Sequence, residues 1–143
     1  MWKLMEGINS KRSSNAKVKS LFAKLEKLVT SHVAAEEKAL FNVTIENPKF
    51  EDESREGIEE HEIHKGVLAA VGAVTDEKRK ITRMRIFCEM LEAHLDEEQK
   101  DIFPKFKKYA ALSTRKKMGA TFLKSRKATH RKGETLGALG DVK

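Results

Sequence analysis

The chain has 143 residues, of which 36% are charged, and it contains only 8 Gly and 2 Pro. Because an average globular domain is about 25% charged and turn-rich folds use more Gly and Pro, this composition favours one all-helical domain over a sandwich or barrel. No stretch resembles a membrane span or a signal peptide, and the single Cys88 excludes an internal disulfide. We therefore expect a soluble, cytoplasmic protein that makes no contact with a membrane.

The formal net charge of +7 comes from one end of the chain. Residues 105–132 contain 11 Lys and Arg and no Asp or Glu, whereas residues 1–104 contain 17 basic and 20 acidic residues. The basic segment shows no pattern of interleaved aromatics for stacking on bases and no nucleic-acid motif. We interpret it as a solvated basic helix and expect no nucleic acid as a partner, although an anion-binding arm would give the same pattern.

Apolar residues recur with helical spacing in four segments, and none of these alternates with the period of two that strands show. The predicted helices cover residues 15–44, 54–74, 75–109 and 114–129, after a short apolar stripe in residues 2–8. Pro48 ends the first long helix, Ser54 is expected to cap the second, and Pro104 is expected to kink the third. Gly66 and Gly72 within the second helix indicate close helix packing.

These elements predict an all-α, up-down-up-down four-helix bundle with a shortened first helix and a short extra C-terminal helix. The bundle would occupy residues 1–129, and residues 130–143 would form a flexible basic, Gly-rich tail. The short first helix would leave part of the next helix, at Leu21, Leu25 and Leu28, without a covering partner. Because large exposed apolar patches usually mark interfaces, we expect a homodimer or a domain-swapped pair.

Two segments of the chain repeat one pattern of His, Glu and Phe. In each, a Glu follows a His by four residues and an aliphatic-Phe pair follows it by eight and nine: His32, Glu36 and Leu40-Phe41, then His94, Glu98 and Ile102-Phe103. Residues four apart on a helix lie about 5 to 6 Å from each other on one face, so the imidazole and the carboxylate reach one point. Both pairs lie on the apolar, core-facing stripe, where burial is costly unless the groups pair or bind a cation. The repeat therefore predicts a metal ion shared between two helices.

A third histidine, His61, lies on the inward face of the intervening predicted helix. His64, three residues later, leans to the same side and is a further candidate as a ligand or as a support for one. Glu37 and Glu97 are interpreted as solvated neighbours of the motifs, and Cys88 as a core residue. A surface ion pair explains any single His-x-x-x-Glu motif, but two matched copies together with His61 favour a metal site.

Other metal and catalytic signatures do not fit the sequence. Ferritin-like di-iron proteins carry a Glu three residues before a ligating His, but those positions hold other residues here, namely Val29, Ile58, His61 and Leu91. His61 and His64 are too close for the zinc-protease helix, whose histidines stand four residues apart. No Gly-rich phosphate loop, nucleophile triad or EF-hand is found in the sequence.

The order of these motifs resembles the hemerythrin-like (HHE cation-binding) domain family. The resemblance spans about residues 1–128 and rests on His32 and Glu36, His61, His94 and Glu98, with Leu40-Phe41 and Ile102-Phe103-Pro104 after the two motifs. It implies a four-helix bundle that holds a non-haem di-iron centre. It further implies that Glu36 and Glu98 bridge the irons, that His32 is a terminal ligand of one iron, and that His61 and His94 are terminal ligands of the other.

The chain departs from the family pattern at its first helix. The pattern begins with a His that would fall at Met1 or just before it, and this His is absent here. Either the true start lies upstream, or this ligand and half of the first helix have been lost. One metal position would then have His32 as its single imidazole, so we expect an incomplete di-iron centre.

We predict a non-enzymatic iron protein that binds oxygen, or senses oxygen, iron or nitric oxide, because imidazole and carboxylate ligands suit iron at an open-sided site. An alternative is a metal-depleted helical interaction module that acts through the basic C-terminal arm. A peroxidase- or oxidase-like activity is less favoured, because nothing in the sequence marks a pocket for a second substrate.

Overall fold

In the computed structural model, which describes the backbone of residues 1–135 and the side chains of residues 1–128, all regular secondary structure is helical. Helix α1 spans Trp2–Asn9, α2 Asn15–Glu36, α3 Glu51–Ala73, α4 Glu77–Glu97 and α5 Leu112–Thr135. The all-α prediction is therefore confirmed. Within the described range, no helix combines the length and the apolar character that crossing a bilayer requires.

Helices α2 and α4 continue beyond these limits through π-helical turns. The turn Glu37–Phe41 leads from α2 into the short segment Asn42–Thr44, and the turn Glu98–Ile102 leads from α4 into the segment Phe103–Tyr109. Each π turn begins at the Glu of a repeated motif or directly after it. Short π-helical turns inside α-helices are frequent at functional sites.

Pro104 stands immediately after the second π turn. It occupies the second position of the segment Phe103–Tyr109, where a missing backbone N–H does least harm. In a continuous α-helix the Pro ring would clash with the carbonyl four residues earlier. The irregularity predicted at Pro104 is therefore a π turn placed just before it.

Short polar side chains cap the starts of α2 and α4. The Ser14 hydroxyl accepts a hydrogen bond from the Lys17 backbone N–H at 3.2 Å, and the Asp76 carboxylate accepts one from the Arg79 N–H at 3.0 Å. Each bond satisfies one of the N–H groups that a helix start leaves unpaired. The polar residues before each apolar stripe thus fix where these two helices begin.

Ser54 lies inside α3 rather than at its start. The helix begins three residues earlier, at Glu51. The buried Ser54 hydroxyl donates to the Phe50 carbonyl at 2.6 Å and lies 2.6 Å from the Thr44 hydroxyl. The predicted cap is therefore wrong, and Ser54 instead joins the start of α3 to the chain that follows α2.

The short helix α1 is well packed, and α5 covers the neighbouring part of the bundle. Met5 and Ile8 of α1 are completely buried, and α1 packs against α2 and α4. Helix α5 packs along α2, in which Leu25 is completely buried and Leu21 and Leu28 are partly buried. The uncovered stripe expected from the short first helix is therefore wrong, because all three leucines are buried or partly buried. The homodimer that the stripe suggested stays a prediction.

Helix α5 is longer than its sequence pattern predicts. It continues to Thr135 instead of ending near residue 129, because residues 120–132 contain no Gly or Pro and many good helix formers. Residues 136–143 of the predicted tail lie outside the described residues. The exposed side chains of α5 include basic residues at five positions, Lys116, Lys117, Lys124, Arg126 and Lys127.

Close packing against a glycine occurs at Gly57 and not at the two predicted positions. A Cβ added to Gly57 would lie 2.4 Å from Cζ of Phe41, whereas one added to Gly66 or Gly72 would meet nothing within 4 Å. Gly66 and Gly72 lie on the exposed face of α3. The prediction for these two glycines is therefore wrong.

Cys88 is a core residue, as predicted, and its side chain is completely buried. Burial raises the pKa of the Cys88 thiol to about 12. We therefore expect Ellman's reagent to leave the native protein unmodified at mildly alkaline pH and to modify one thiol per chain in guanidinium chloride. Rapid modification of the native protein would contradict the buried position.

The raised pKa of Cys88 also makes stability depend on pH. The unfolded thiol ionises above its ordinary pKa of 9.0, while the folded thiol stays neutral up to about 12. Between these values the unfolded state loses a proton that the folded state keeps, so the free energy of unfolding is expected to fall by up to about 1.4 kcal/mol per pH unit. Denaturant titrations at several pH values in this range measure the free energy of unfolding. In Cys88→Ala this free energy should fall with pH less steeply than in the unaltered protein, by the same amount per pH unit.

Candidate metal centre

Two imidazoles and two carboxylates meet in the interior of the bundle. Glu36 is the last α-helical residue of α2, His61 lies in α3, His94 lies near the end of α4, and Glu98 begins the π turn that continues α4. One ligand atom from each residue lies within 4.8 Å of those from the other three. All four residues are at most 4% exposed. Three helices therefore bring four groups of metal-binding type to one buried point.

The ligand atoms of this four-residue cluster face one another at short distances. His61 Nε2 lies 3.2 Å from His94 Nε2 and 3.3 Å from Glu36 Oε2. His94 Nε2 lies 2.8 Å from Glu98 Oε1, in a contact that is poorly aligned for a hydrogen bond, and 3.9 Å from Glu36 Oε2. Nitrogen and oxygen atoms thus converge as they do around a coordinated ion.

The charges of the cluster depend on one another. Burial opposes ionisation of Glu36, but the imidazoles around it outweigh burial and lower the pKa of its carboxyl. Burial also opposes charging of His94, yet its contacts with Glu36 and Glu98 raise the pKa of its imidazole to about 11. Burial raises the pKa of Glu98, and the charge of Glu36 adds to this. A proton on His94 therefore supplies positive charge between the carboxylates, which is the charge that a bound cation brings.

Three buried polar atoms of the predicted ligand residues have no hydrogen-bond partner among the described residues. They are His32 Nε2, Glu36 Oε2 and Glu98 Oε1. Leaving a buried polar atom unpaired costs about 1–3 kcal/mol. Because imidazole nitrogens and carboxylate oxygens are ligands of first-row metals, coordination of an ion would satisfy these atoms. The donor set therefore fits a bound iron or a similar divalent ion.

His32 stands beside the cluster and touches it through Glu36. Its Nε2 lies 3.5 Å from Glu36 Oε2, and its side chain is 14% exposed. The His32 ring packs edge-on against Phe122 of α5, with ring centroids 5.6 Å apart. The structure thus brings together four of the five predicted ligand residues and places the fifth next to them.

Two further carboxylates hold the imidazoles from their other side. Nδ1 of His61 donates a hydrogen bond to Glu37 Oε1 at 3.1 Å, and Nδ1 of His94 pairs with Glu60. A carboxylate at the remote nitrogen fixes the orientation and the tautomer of a ligating imidazole. The interpretation of Glu37 as a solvated neighbour is therefore wrong. The only sequence signal for Glu37 and Glu60 is their position directly beside a predicted ligand, which is weak in such Glu-rich helices.

His64 is a buried imidazole next to the cluster. Its ring lies 5.2 Å from that of His94 and 5.8 Å from that of Phe87, measured between centroids, and its Nε2 has no hydrogen-bond partner. Burial, and then the charge on His94, lower the pKa of His64. His64 is therefore neutral at pH values near 7 and lies outside the group of four.

A cavity of about 550 Å³ lies beside the cluster, on the side of His32 and Glu36. Most of its lining is apolar, and α5 contributes Met118 and Phe122 to its wall. Nothing in the sequence marks this cavity. The cavity forms where α5 packs against the rest of the bundle, and a contact between such distant segments has no local sequence signal.

Comparison with known proteins gives one match. Residues 3–106 match the family model for the hemerythrin HHE cation binding domain. The matched range includes all five predicted ligand residues and ends before α5. Searches among curated proteins and among solved structures return no significant match.

Proposed function

The chain belongs to the hemerythrin HHE cation-binding domain family, and on that premise we propose that it binds non-haem iron at the buried cluster. The proposed ligands are Glu36, His61, His94 and Glu98, with His32 as a fifth. The observation that carries this proposal is the convergence of two imidazoles and two carboxylates, from three helices, on one buried point. Imidazole and carboxylate ligands together suit iron, and the family resemblance favours iron over other ions.

The position of Glu36 supports a centre of two irons. One oxygen of Glu36 lies 3.5 Å from His32 Nε2 and 3.3 Å from His61 Nε2, so the carboxylate stands between two nitrogen donors. A carboxylate in this position is suited to bridge two ions. We propose that the ion near His32 has fewer protein ligands and is held more weakly than the ion near His61 and His94.

Dioxygen or nitric oxide is the proposed small ligand. Iron at such a site supplies reversible binding of these gases, and we propose gas binding, or sensing of oxygen, iron or nitric oxide, rather than catalysis. The chain itself keeps bulk water away, because the four cluster residues are at most 4% exposed. The cavity beside His32 gives a small molecule access to the edge of the site.

Glu37→Gln is expected to weaken iron binding about 10–100-fold without disturbing the helices, because Glu37 orients the ring of His61. Competition with a chelator of known affinity measures the change. Glu62→Gln is the matched control. Glu62 and Glu37 both pair with Lys65, but of these two carboxylates Glu37 is the one that contacts His61. Equal iron affinities of the two variants would contradict a positioning role for Glu37.

An optical titration of the iron-loaded protein with dioxygen and, separately, with nitric oxide tests the proposed function. The proposal predicts a saturable absorbance change that reverses when the gas is removed. An iron-loaded protein whose spectrum responds to neither gas would contradict it, and continuous turnover of peroxide would favour the peroxidase-like alternative. A protein that retains no iron would instead favour an interaction module acting through α5.

A further inference from the structure

The cavity beside His32 has the size and the lining of a small-molecule site. Its volume of about 550 Å³ falls within the roughly 300–1,000 Å³ usual for such sites. Apolar side chains form most of its wall, among them Leu40, Phe103, Phe106, Met118 and Phe122. Walls of this kind favour the hydrocarbon part of a ligand, because its transfer from water is favourable.

One end of the cavity carries unpaired positive charge. Arg115 lines this end and Lys107 lines the same cavity, and among the described residues neither side chain pairs with a carboxylate. Arg115 Nε is buried and has no hydrogen-bond partner. Helix α5 begins at Leu112 and has no acidic residue in its first turn, so the positive end of the helix dipole adds to the charge of Arg115.

The other end of the cavity lies at the edge of the proposed iron site. Phe122 packs against His32 there, and Glu36 also lines the cavity. Phe122 follows Arg115 by seven residues, which places it about 10 Å further along the axis of α5. The cavity therefore has a cationic end, an apolar body and a second end that faces His32 and Glu36.

We propose that this cavity binds a small amphipathic monocarboxylate with a straight apolar chain, of about the length of octanoate. The carboxylate pairs with Arg115, because a guanidinium gives two parallel hydrogen bonds to a planar anion, and Lys107 adds positive charge to the same cavity. The hydrocarbon chain lies along Phe106, Met118 and Phe122. This site goes beyond iron binding and does not depend on it, because neither the cationic end nor the apolar wall belongs to the proposed iron ligands.

Isothermal titration of the full chain with octanoate, after iron has been removed with a chelator, tests this proposal independently of the metal. We expect saturable binding to one site per chain. Octanol has the same apolar body without the charge and is expected to bind at least about tenfold more weakly, because it loses the charge-assisted hydrogen bonds. Octanol binding as tightly as octanoate, or no saturable binding of octanoate, would overturn the proposal.

Two variants locate the site. Arg115→Met is expected to weaken octanoate binding at least about tenfold, whereas Lys116→Met, on the exposed face of α5, should leave it unchanged. Gly119→Phe should abolish binding by filling the cavity, since Gly119 lines it and an added Cβ there would meet nothing within 4 Å. Circular dichroism checks that each variant keeps its helices.

Unchanged binding by Arg115→Met would show that octanoate binds elsewhere and would overturn the proposal. Sedimentation gives a second way to overturn the proposal. If the protein is a dimer that persists in octanoate but is disrupted by Gly119→Phe, a second copy of the chain occupies this surface instead of a small molecule.

Discussion

Replacing Glu98 by Gln is expected to remove most of the iron from the protein while its helices stay intact. Gln keeps the shape of the side chain but removes the negative charge that the proposed centre needs. Because burial already raises the pKa of the Glu98 carboxyl, a neutral amide at this position costs the metal-free protein little stability. The loss of a direct ligand should exceed the roughly 10–100-fold effect of a positioning carboxylate, so we expect iron affinity to fall at least about 100-fold.

Elemental analysis of the desalted protein measures how much iron it retains, and a thermal melt measures whether it stays folded. Glu89→Gln is the matched control, because Glu89 is an exposed carboxylate on the same helix. The control should retain iron as the unaltered protein does. Full iron content in Glu98→Gln would contradict the proposed role of Glu98, and loss of helical structure in that variant would show that its effect on iron is indirect.

Gly57→Ala is expected to destabilise the protein relative to an alanine at an open position of α3. A Cβ at Gly57 would lie 2.4 to 2.8 Å from three atoms of the Phe41 ring, and Phe41 is only 1% exposed, so the ring has little room to move. Overpacking of this kind costs about 1–3 kcal/mol. The Phe41 ring also packs against His61, with centroids 5.4 Å apart, so its displacement should weaken iron binding as well.

Gly66→Ala is the matched control for this substitution. Gly66 lies in the same helix, and an added Cβ there would meet nothing within 4 Å. Both variants gain about 1 kcal/mol of helix propensity, so the difference between their free energies of unfolding isolates the packing term of about 1–3 kcal/mol. Denaturant titration measures this difference, and equal stabilities of the two variants would contradict the close contact at Phe41.

Features that depend on local periodicity were predictable from the sequence. The spacing of four residues within each motif places His32 with Glu36 and His94 with Glu98 on the same helix face, and the phase of its helix turns His61 inward. These relations depend only on helix geometry, and four of the five predicted residues meet in the structure. His32 shares the same stripe, but a stripe is wide and does not specify which of its residues reach the centre.

Features that depend on contacts between distant segments were not predictable in this way. The π turns after Glu36 and at Glu98 have no composition signal in the sequence. The hydrogen bond that His94 donates to Glu60 joins residues on different helices. The cavity and the covering of α2 depend on where α5 packs. The sequence of α5 has a weak apolar pattern and an excess of Lys and Arg, and it does not indicate this position.

The most direct test of the central claim, that the buried cluster holds the metal, is an anomalous difference map recorded at the iron absorption edge from crystals of the iron-loaded protein. We predict the strongest peak between Glu36, His61, His94 and Glu98, and any second, weaker peak on the His32 side of Glu36. Iron peaks confined to other parts of the molecule, in crystals of protein that carries iron by elemental analysis, would contradict the claim.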